Sequence, residues 1–182
     1  MNNADYIIRP ENPNDYTYIR ELIVLAFENG ENEASLVELI RESEHFVSGL
    51  SLVAAKNEGE IIGHILFSVI HLVTDQGIVP TLGLAPMSVK PDYQNSGIGS
   101  DLVNEGIKAC RDLGCDHIFV LGHPNFYPRF GFSPTSQFGI VPPFPVPEEV
   151  FMALELKKGS LTGLQGKIEY PPAFNSVSKL IA

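Results

Sequence analysis

The sequence predicts an α+β fold (mixed α/β), in which a mostly antiparallel twisted sheet carries a single βαβ crossover. Three observations predict it. Two helix-period segments lie near the N-terminus. Three β-rich segments follow, joined by tight turns. One glycine-rich loop then leads through a helix into a short apolar strand. The order is β, α, α, β, β, β, α, β, turn, β. With only one crossover, the repeated β-α alternation of a doubly wound fold is missing.

"YIIRP" reads as a short strand stopped by Pro10. In "NPNDYTYIRELIVLAF", Asn14 or Asp15 is positioned to cap a helix. Its apolar residues Tyr18, Ile19, Leu22, Ile23, Leu25 and Ala26 recur at helical spacing. "ENGEN" breaks it, and "EASLVELIRES" gives a second helix with Leu36, Leu39 and Ile40 on one face. The period then changes. "LSLVAAK", "EIIGHILFSVIHLV" and "GIVPTLGLAPMSV" read as three antiparallel strands, turned at Asn57–Glu60 and Asp75–Gly77. Past the glycine loop, Leu102, Val103, Ile107 and Ala109 mark an amphipathic helix ending near Gly114. "HIFVLG" is almost wholly apolar, as a buried parallel strand should be. Prolines 142, 143, 145 and 147 exclude regular structure there. "VFMALEL" is a further strand, and "GKIEYPPAF" adds an edge strand before the tail.

The chain has 182 residues, which suits a single domain over 1–182, its core at about 5–135 and a C-terminal strand and tail at 136–182. Apolar residues make up 44% and charged residues 19%, an ordinary globular mix. No apolar run approaches the roughly 18 residues of a membrane span, and "MNNADYIIRPENPNDY" lacks the basic and apolar regions of a signal peptide. Only two cysteines, Cys110 and Cys115, are present, so a reduced cytoplasmic chain with structural thiols is expected. The net charge of −10 argues against nucleic acid as a partner, because a phosphate-backbone binder needs a basic face. Acidic residues concentrate in Glu28–Glu44. They read as a solvated helix face or as a rim that attracts a cationic substrate.

The stretch "VKPDYQNSGIGSDLVNEGIK" carries the chemistry. A glycine-rich loop opening a helix binds phosphate, because unpaired amides and the helix dipole meet there. It is not a P-loop: Gly99 is followed by Ser100 and Asp101, with no lysine for the phosphates. Nor is it a dinucleotide fingerprint, since Leu102 stands where the third glycine belongs.

The residues Gln94-Asn95-Ser96-Gly97-Ile98-Gly99 spell Q/R-x-x-G-x-G/A after an apolar strand. Here the chain resembles the GCN5-related N-acetyltransferase (GNAT) superfamily over about residues 5–135. "LGHPNFYPRFGF", "GHILFS" and "LGLAPMSV" resemble its YhbS-like subgroup. The resemblance implies the acyl-CoA N-acyltransferase fold, with a splayed central pair of parallel strands. It implies acetyl-coenzyme A as cofactor, held at the pyrophosphate by Gln94, Asn95, Ser96, Gly97, Ile98, Gly99 and Ser100. Pro86 is out of place in a central strand, and a bulge resolves it. By the same resemblance, backbone groups of Met87, Ser88 and Val89 pair with the pantetheine arm. An amide there polarises the thioester carbonyl and holds the oxyanion of the tetrahedral intermediate. In "YPRFGF", Tyr127 takes the place of the tyrosine that protonates the leaving thiolate. A phenol near ~10 and a thiolate near ~8.5 are matched for that transfer.

Two departures stand out. Val120 occupies the position of a family asparagine, for which Asn125 is a substitute, and no carboxylate ends the "HIFVLG" strand. The base that deprotonates the amine therefore stays open among His123, Glu28, Glu31, Glu33 and a water chain. His64 and His71, seven apart on one strand, point to opposite faces, so at most one faces the cleft. The leading expectation is an N-acetyltransferase acting by direct attack of a small-molecule or peptide amine in a ternary complex, as a monomer or homodimer. An acyl-coenzyme A sensor or scaffold on the same fold is the alternative, and thioester hydrolysis a third class. The acceptor amine carries no signature in the sequence.

Overall fold

The computed structural model describes residues 5–28 and 30–177, organised on one nine-stranded sheet. The strands are β1 (Tyr6–Pro10), β2 (Phe46–Lys56), β3 (Ile61–Thr74), β4 (Gly77–Val89), β5 (His117–Leu121), β6 (Ser133–Pro134), β7 (Ile140–Val141), β8 (Phe151–Glu155) and β9 (Gly166–Glu169). Three helices join them: α1 (Tyr16–Ala26), α2 (Glu31–Arg41) and α3 (Ile98–Asp112). The main path across the sheet is β1-β2-β3-β4-β5-β8-β6. Only β4–β5 and the short β7–β9 pair run parallel. The α+β expectation holds, with α3 as the crossover between β4 and β5.

The α1 entry differs from expectation. Asp15 stands at the N-cap position of α1 but makes no side-chain cap bond to it; the side-chain cap is made by Asn12, on a 3₁₀ turn at Pro13–Asp15 that runs straight into α1. The Asn12 side chain accepts from Asn14 N–H at 3.0 Å, while the Asp15 carboxylate accepts from Asn12 N–H at 2.8 Å. Proline at the first position favours this tight start. Asp15 is further engaged by Arg9, at 2.6 and 2.9 Å.

The buried stripe of α1 is Ile19, Leu22 and Ile23; Tyr18 and Leu25 are exposed. In α2 the stripe is Ala34, Leu36, Val37 and Ile40, with Leu39 turned outward. Both helices face one side of the sheet, in a cluster with Val53, Leu66, Ile70 and Leu72. On the other side α3 packs Ile98, Leu102, Val103 and Ile107 against Leu52, Ala54, Ile65 and Phe67. Gly106 permits that approach, since a Cβ there would overlap the Phe67 ring.

The hairpins turn where the sequence places them, β2 to β3 across Asn57–Glu60 and β3 to β4 after Thr74. The β9 segment corrects an expectation: it is an interior strand, not an edge. β3 has 14 residues and β2 has 11, and the β2 pairing ends at Ser68. β9 takes the vacant length, His71–Thr74, and β7 then covers β9.

The feature that shapes the site lies in β4. Opposite β3 the register jumps from Ile65↔Met87 to Phe67↔Leu84, so β4 carries one extra residue at Ala85–Pro86. Pro86 sits in this bulge, where its missing N–H breaks no ladder. Towards β5, pairing covers only Leu82–Leu84 with Ile118–Val120. From Ala85 to Val89, β4 has β3 on one flank and no strand on the other among the described residues.

Candidate active site

Below this opened flank the chain turns through Pro91–Tyr93 into the loop. The Gln94 side chain ties the loop back to the Val89 carbonyl at 3.1 Å, and the Ser96 hydroxyl donates to the Tyr93 carbonyl. Asn95 (φ 59°) and Gly97 (φ 97°) are both left-handed, which turns successive amides inward as an anion-binding nest does. The first helical bond of α3 runs from Asp101 N–H to the Gly97 carbonyl at 3.0 Å. The amides of Gly97, Ile98, Gly99 and Ser100 therefore precede it and point off the helix end. Ile98 is buried over Gly63, anchoring that end to the sheet.

The two glycines have different reasons. Gly97 needs its left-handed backbone, whereas a Cβ on Gly99 would meet only ordinary contacts: Met87 Cε at 3.6 Å, Phe126 Cζ at 3.8 Å and Val89 Cγ2 at 3.8 Å. Those contacts show that the loop, the end of β4 and the "FYPRFGF" turn converge on one point. Met87 and Val89 pack on the α3 side of the sheet. Ser88, between them, faces the α1–α2 side and is 4% exposed.

Tyr127 opens the 3₁₀ turn Tyr127–Phe130. Its ring meets Phe126 and Phe132 edge-on, with centroids 5.0 and 5.6 Å away, and lies over Gly122, where a Cβ would overlap it. Burial pushes its phenol well above the ordinary value, so it holds its proton at neutral pH. Its hydroxyl has no hydrogen bond to the described residues.

The candidate bases separate. His123 is exposed and contributes its backbone carbonyl to the turn, accepting from Phe126 N–H at 3.0 Å. Glu28 is exposed, and Glu31 is paired with Arg20 on the surface. Glu38 shares that arginine at 3.0 Å, so one cation is divided between two members of the acidic rim. Glu31 and Glu33 lie in the first turn of α2 rather than in the loop before it, and Glu33 is buried there, with Oε2 unpartnered among the described residues. Asn125 is exposed, Val120 lies in the core, and His71 packs against the His45 ring. Both cysteines are free. Burial raises the Cys110 thiol far beyond reactive values, in keeping with a structural role.

Three partners at the loop escaped the sequence reading. Arg129 stacks its guanidinium 4.6 Å over the Phe126 ring and points Nη2 at Ser100 Oγ, 3.4 Å away, placing a cation beside the free amides. Asp101 would repel an anion from the first turn, but Tyr6 donates to it at 2.5 Å. Burial, and then the bond and charge of Asp101, push the Tyr6 phenol up to about 12. The arginine lies within a quoted motif, whereas the tyrosine–aspartate pair spans 95 residues and has no local signal.

The profile of the acetyltransferase (GNAT) family matches residues 16–132, from the start of α1 to Phe132 beyond the Tyr127 turn. The chain belongs to this family. Among GNAT relatives, the uncharacterized N-acetyltransferase YjhQ of Escherichia coli (strain K12) is 38% identical over 155 residues, covering 82% of this chain and 84% of that one. The uncharacterized N-acetyltransferase YhbS of the same strain is 32% identical over 169 residues, 93% and 98% of the two chains. The crystal structure of E. coli YhbS in complex with CoA superposes with a TM-score of 0.87 at 31% identity, over 96% of this chain and 95% of that one. A GNAT acetyltransferase from Brucella melitensis in complex with acetyl-CoA gives 0.75 at 29% identity, over 93% and 98%. This GNAT chain is thus an acyl-CoA-dependent N-acetyltransferase. Its residues fit the cofactor: free amides and a cation for phosphate, open space at Gly97, and an opened strand for an amide-bearing arm. No helix among the described residues is long and apolar enough to cross a membrane.

Proposed function

We propose that the whole chain acts as one cytoplasmic domain that acetylates an amine by direct attack in a ternary complex. The observation that carries this reading is the contact of Met87, Val89 and Phe126 around Gly99, which gathers three separate motifs at one point. In this reading the amides from Asn95 to Ser100, with Gln94 fixing the loop, hold the pyrophosphate of acetyl-coenzyme A, and Arg129 adds charge. Met87, Ser88 and Val89 offer backbone groups on the flank that β5 leaves open, and one amide there holds the thioester carbonyl oxygen. When bound, acetyl-coenzyme A supplies the activated acyl group. Tyr127, kept protonated by burial, gives its proton to the departing sulfur. No covalent enzyme intermediate is needed, since the only cysteine in the core, Cys110, is held as the thiol.

Two measurements test it. Acetyl-coenzyme A at a hundred times its Kd should stabilise the fold by about 2.7 kcal/mol, a melting shift of several degrees. Thiol release should then depend on an added amine, assayed across a panel of polyamines, amino acids, aminoglycosides and peptide N-termini. No thermal shift at saturation would overturn the cofactor assignment. Binding without amine-dependent release would favour a sensor, and amine-independent release a hydrolase.

A further inference from the structure

A buried polar chain runs through the sheet face opposite the glycine loop. Arg41 of α2 grips the carboxylate of Glu11 with two hydrogen bonds, 2.8 and 3.0 Å long. Ser51 of β2 donates to the same carboxylate at 2.7 Å. The other side of the Ser51 hydroxyl lies 2.9 Å from Nε2 of His64 on β3. All four side chains are substantially buried, and His64 is completely so.

The chain of donors fixes the imidazole. Glu11 is ionised: burial alone would raise its pKa, but His64, Arg41 and Ser51 together outweigh that and bring it down to about 2. A carboxylate only accepts, so the Ser51 proton points to Glu11. Ser51 must then accept from His64, which places the ring proton on Nε2. Burial holds the ring neutral, against the pull of Glu11 and with the push of Arg41. Nδ1 is left as a bare, basic lone pair, buried and without a partner among the described residues.

Its surroundings give that lone pair a use. His64 is directly opposite Ser88 in the β3–β4 register, and Ser88 Oγ is a second buried atom without a partner among the described residues, so the two face each other without a hydrogen bond in the free chain. Ser68, opposite Gly83 on the far side of the bulge, supplies a third. Native interiors rarely leave such groups unpaired. Here they bracket the Ala85–Pro86 bulge on one sheet face, next to the strand end assigned to the acyl group. An imidazole nitrogen that only accepts stands across from a hydroxyl that can donate and accept at once.

We infer that His64 is the proton acceptor of the transfer reaction, reached through the Ser88 hydroxyl and held in its working tautomer by Ser51 and Glu11. The inference rests on the transferase reading above. As the amine nitrogen bonds to the thioester carbonyl carbon and the carbon–sulfur bond breaks, the nitrogen's proton passes to Ser88 Oγ. A side-chain rotation brings Ser88 Oγ onto His64 Nδ1, the Ser88 proton passes to that nitrogen, and the sulfur takes its proton from Tyr127. The imidazolium that forms is stabilised by the Glu11 charge across Ser51, while Arg41 limits that stabilisation and keeps the resting ring neutral. Ser88 is the relay, and His64, acting through it, is the terminal acceptor that does not itself touch the substrate.

The first test needs no acceptor. Ring ¹⁵N spectra of the labelled free chain, with His64→Gln to assign the signal, should show the Nε2–H tautomer at neutral pH and protonation only below the ordinary histidine range. An Nδ1–H tautomer, or titration at the ordinary histidine value, overturns the relay. The second test is kinetic, on the amine that supports thiol release. His64→Gln keeps a donor to Ser51 but has no base. It should lower kcat by about 10²- to 10⁴-fold and erase the acidic limb of the pH profile, with the acetyl-coenzyme A melting shift intact. Ser88→Ala should fall likewise, and Ser88→Thr should recover. A wild-type chain that releases thiol while His64→Gln retains its kcat and pH profile defeats the relay alone. A wild-type chain that binds acetyl-coenzyme A and acetylates nothing defeats the transferase mechanism and the relay with it.

Discussion

Arg129 and Ser100 join two segments 29 residues apart, the guanidinium Nη2 standing 3.4 Å from the serine hydroxyl. The contact brings a positive charge to a helix start whose own first turn carries only Asp101. Stacking on Phe126 holds the arginine plane in place.

Arg129→Ala should therefore weaken acetyl-coenzyme A binding. A charge-assisted hydrogen bond to phosphate is worth about 1.5 kcal/mol, or roughly tenfold in Kd. The loss should shrink as salt is raised, since the arginine is exposed. Calorimetric titration at two salt concentrations reads both effects. An unchanged Kd would show that the amides alone hold the phosphates.

The two loop glycines should respond differently to alanine. Gly97 has φ 97°, so Gly97→Ala strains the backbone and costs about 1 to 2 kcal/mol of stability with no ligand present. Gly99→Ala meets only ordinary contacts and gains helix propensity, so the free protein should melt at the same temperature or slightly higher. Its methyl would nevertheless stand where the cofactor approaches, and the acetyl-coenzyme A shift should fall. Melting curves of both variants, with and without cofactor, separate fold from binding. Equal behaviour of the two would contradict the distinction.

Much of this arrangement was legible locally. The loop, the Pro86 bulge and the Tyr127 turn each depend on short-range backbone restrictions, which glycine and proline announce. Helix faces were less so. Tyr18, Leu25 and Leu39 fit an apolar count but lie outside the narrower stripe that meets the sheet. The Asn12 cap was hidden because Pro13 starts a 3₁₀ turn before the helix proper. The Glu11–Ser51–His64–Arg41 chain was illegible, because it joins a loop, a helix and two strands over residues up to 53 positions apart. So was the interior position of β9, which follows from the unequal lengths of β2 and β3.

That buried chain makes stability pH-dependent on the acid side. His64 has a lowered pKa in the fold, so the unfolded chain binds its proton first as pH falls below about 6.5. Glu11 is lowered from 4.5 to about 2, and its contribution is present above 4.5 and lost as pH falls towards 2. Both raise proton binding in the unfolded state relative to the native one, so stability drops in two stages on acidification. Urea midpoints against pH should show it. Glu11→Gln should flatten the lower stage, by on the order of 2 kcal/mol, and leave a midpoint below wild type at pH 7. A midpoint that stays flat from pH 7 to 3 would contradict the assigned charge states.

Tyr127→Phe separates chemistry from packing. The ring is wedged between Phe126, Phe132 and Gly122, and phenylalanine keeps all of those contacts. The hydroxyl has no bond to the described residues, so removing it strands no partner, and the melting temperature should stay within the change expected of about 0.5 kcal/mol. The binding of acetyl-coenzyme A should also persist, because the loop amides and Arg129 are untouched. What disappears is the proton for the departing sulfur. A thiolate leaves more readily than an alkoxide, so the loss belongs at the lower end for general acids, about 10²-fold in kcat. It should be largest at high pH, where solvent supplies few protons, and KM for acetyl-coenzyme A should not move. If Tyr127→Phe retains wild-type kcat across the pH range, the proton comes from elsewhere, and Tyr127 is a packing residue of the turn.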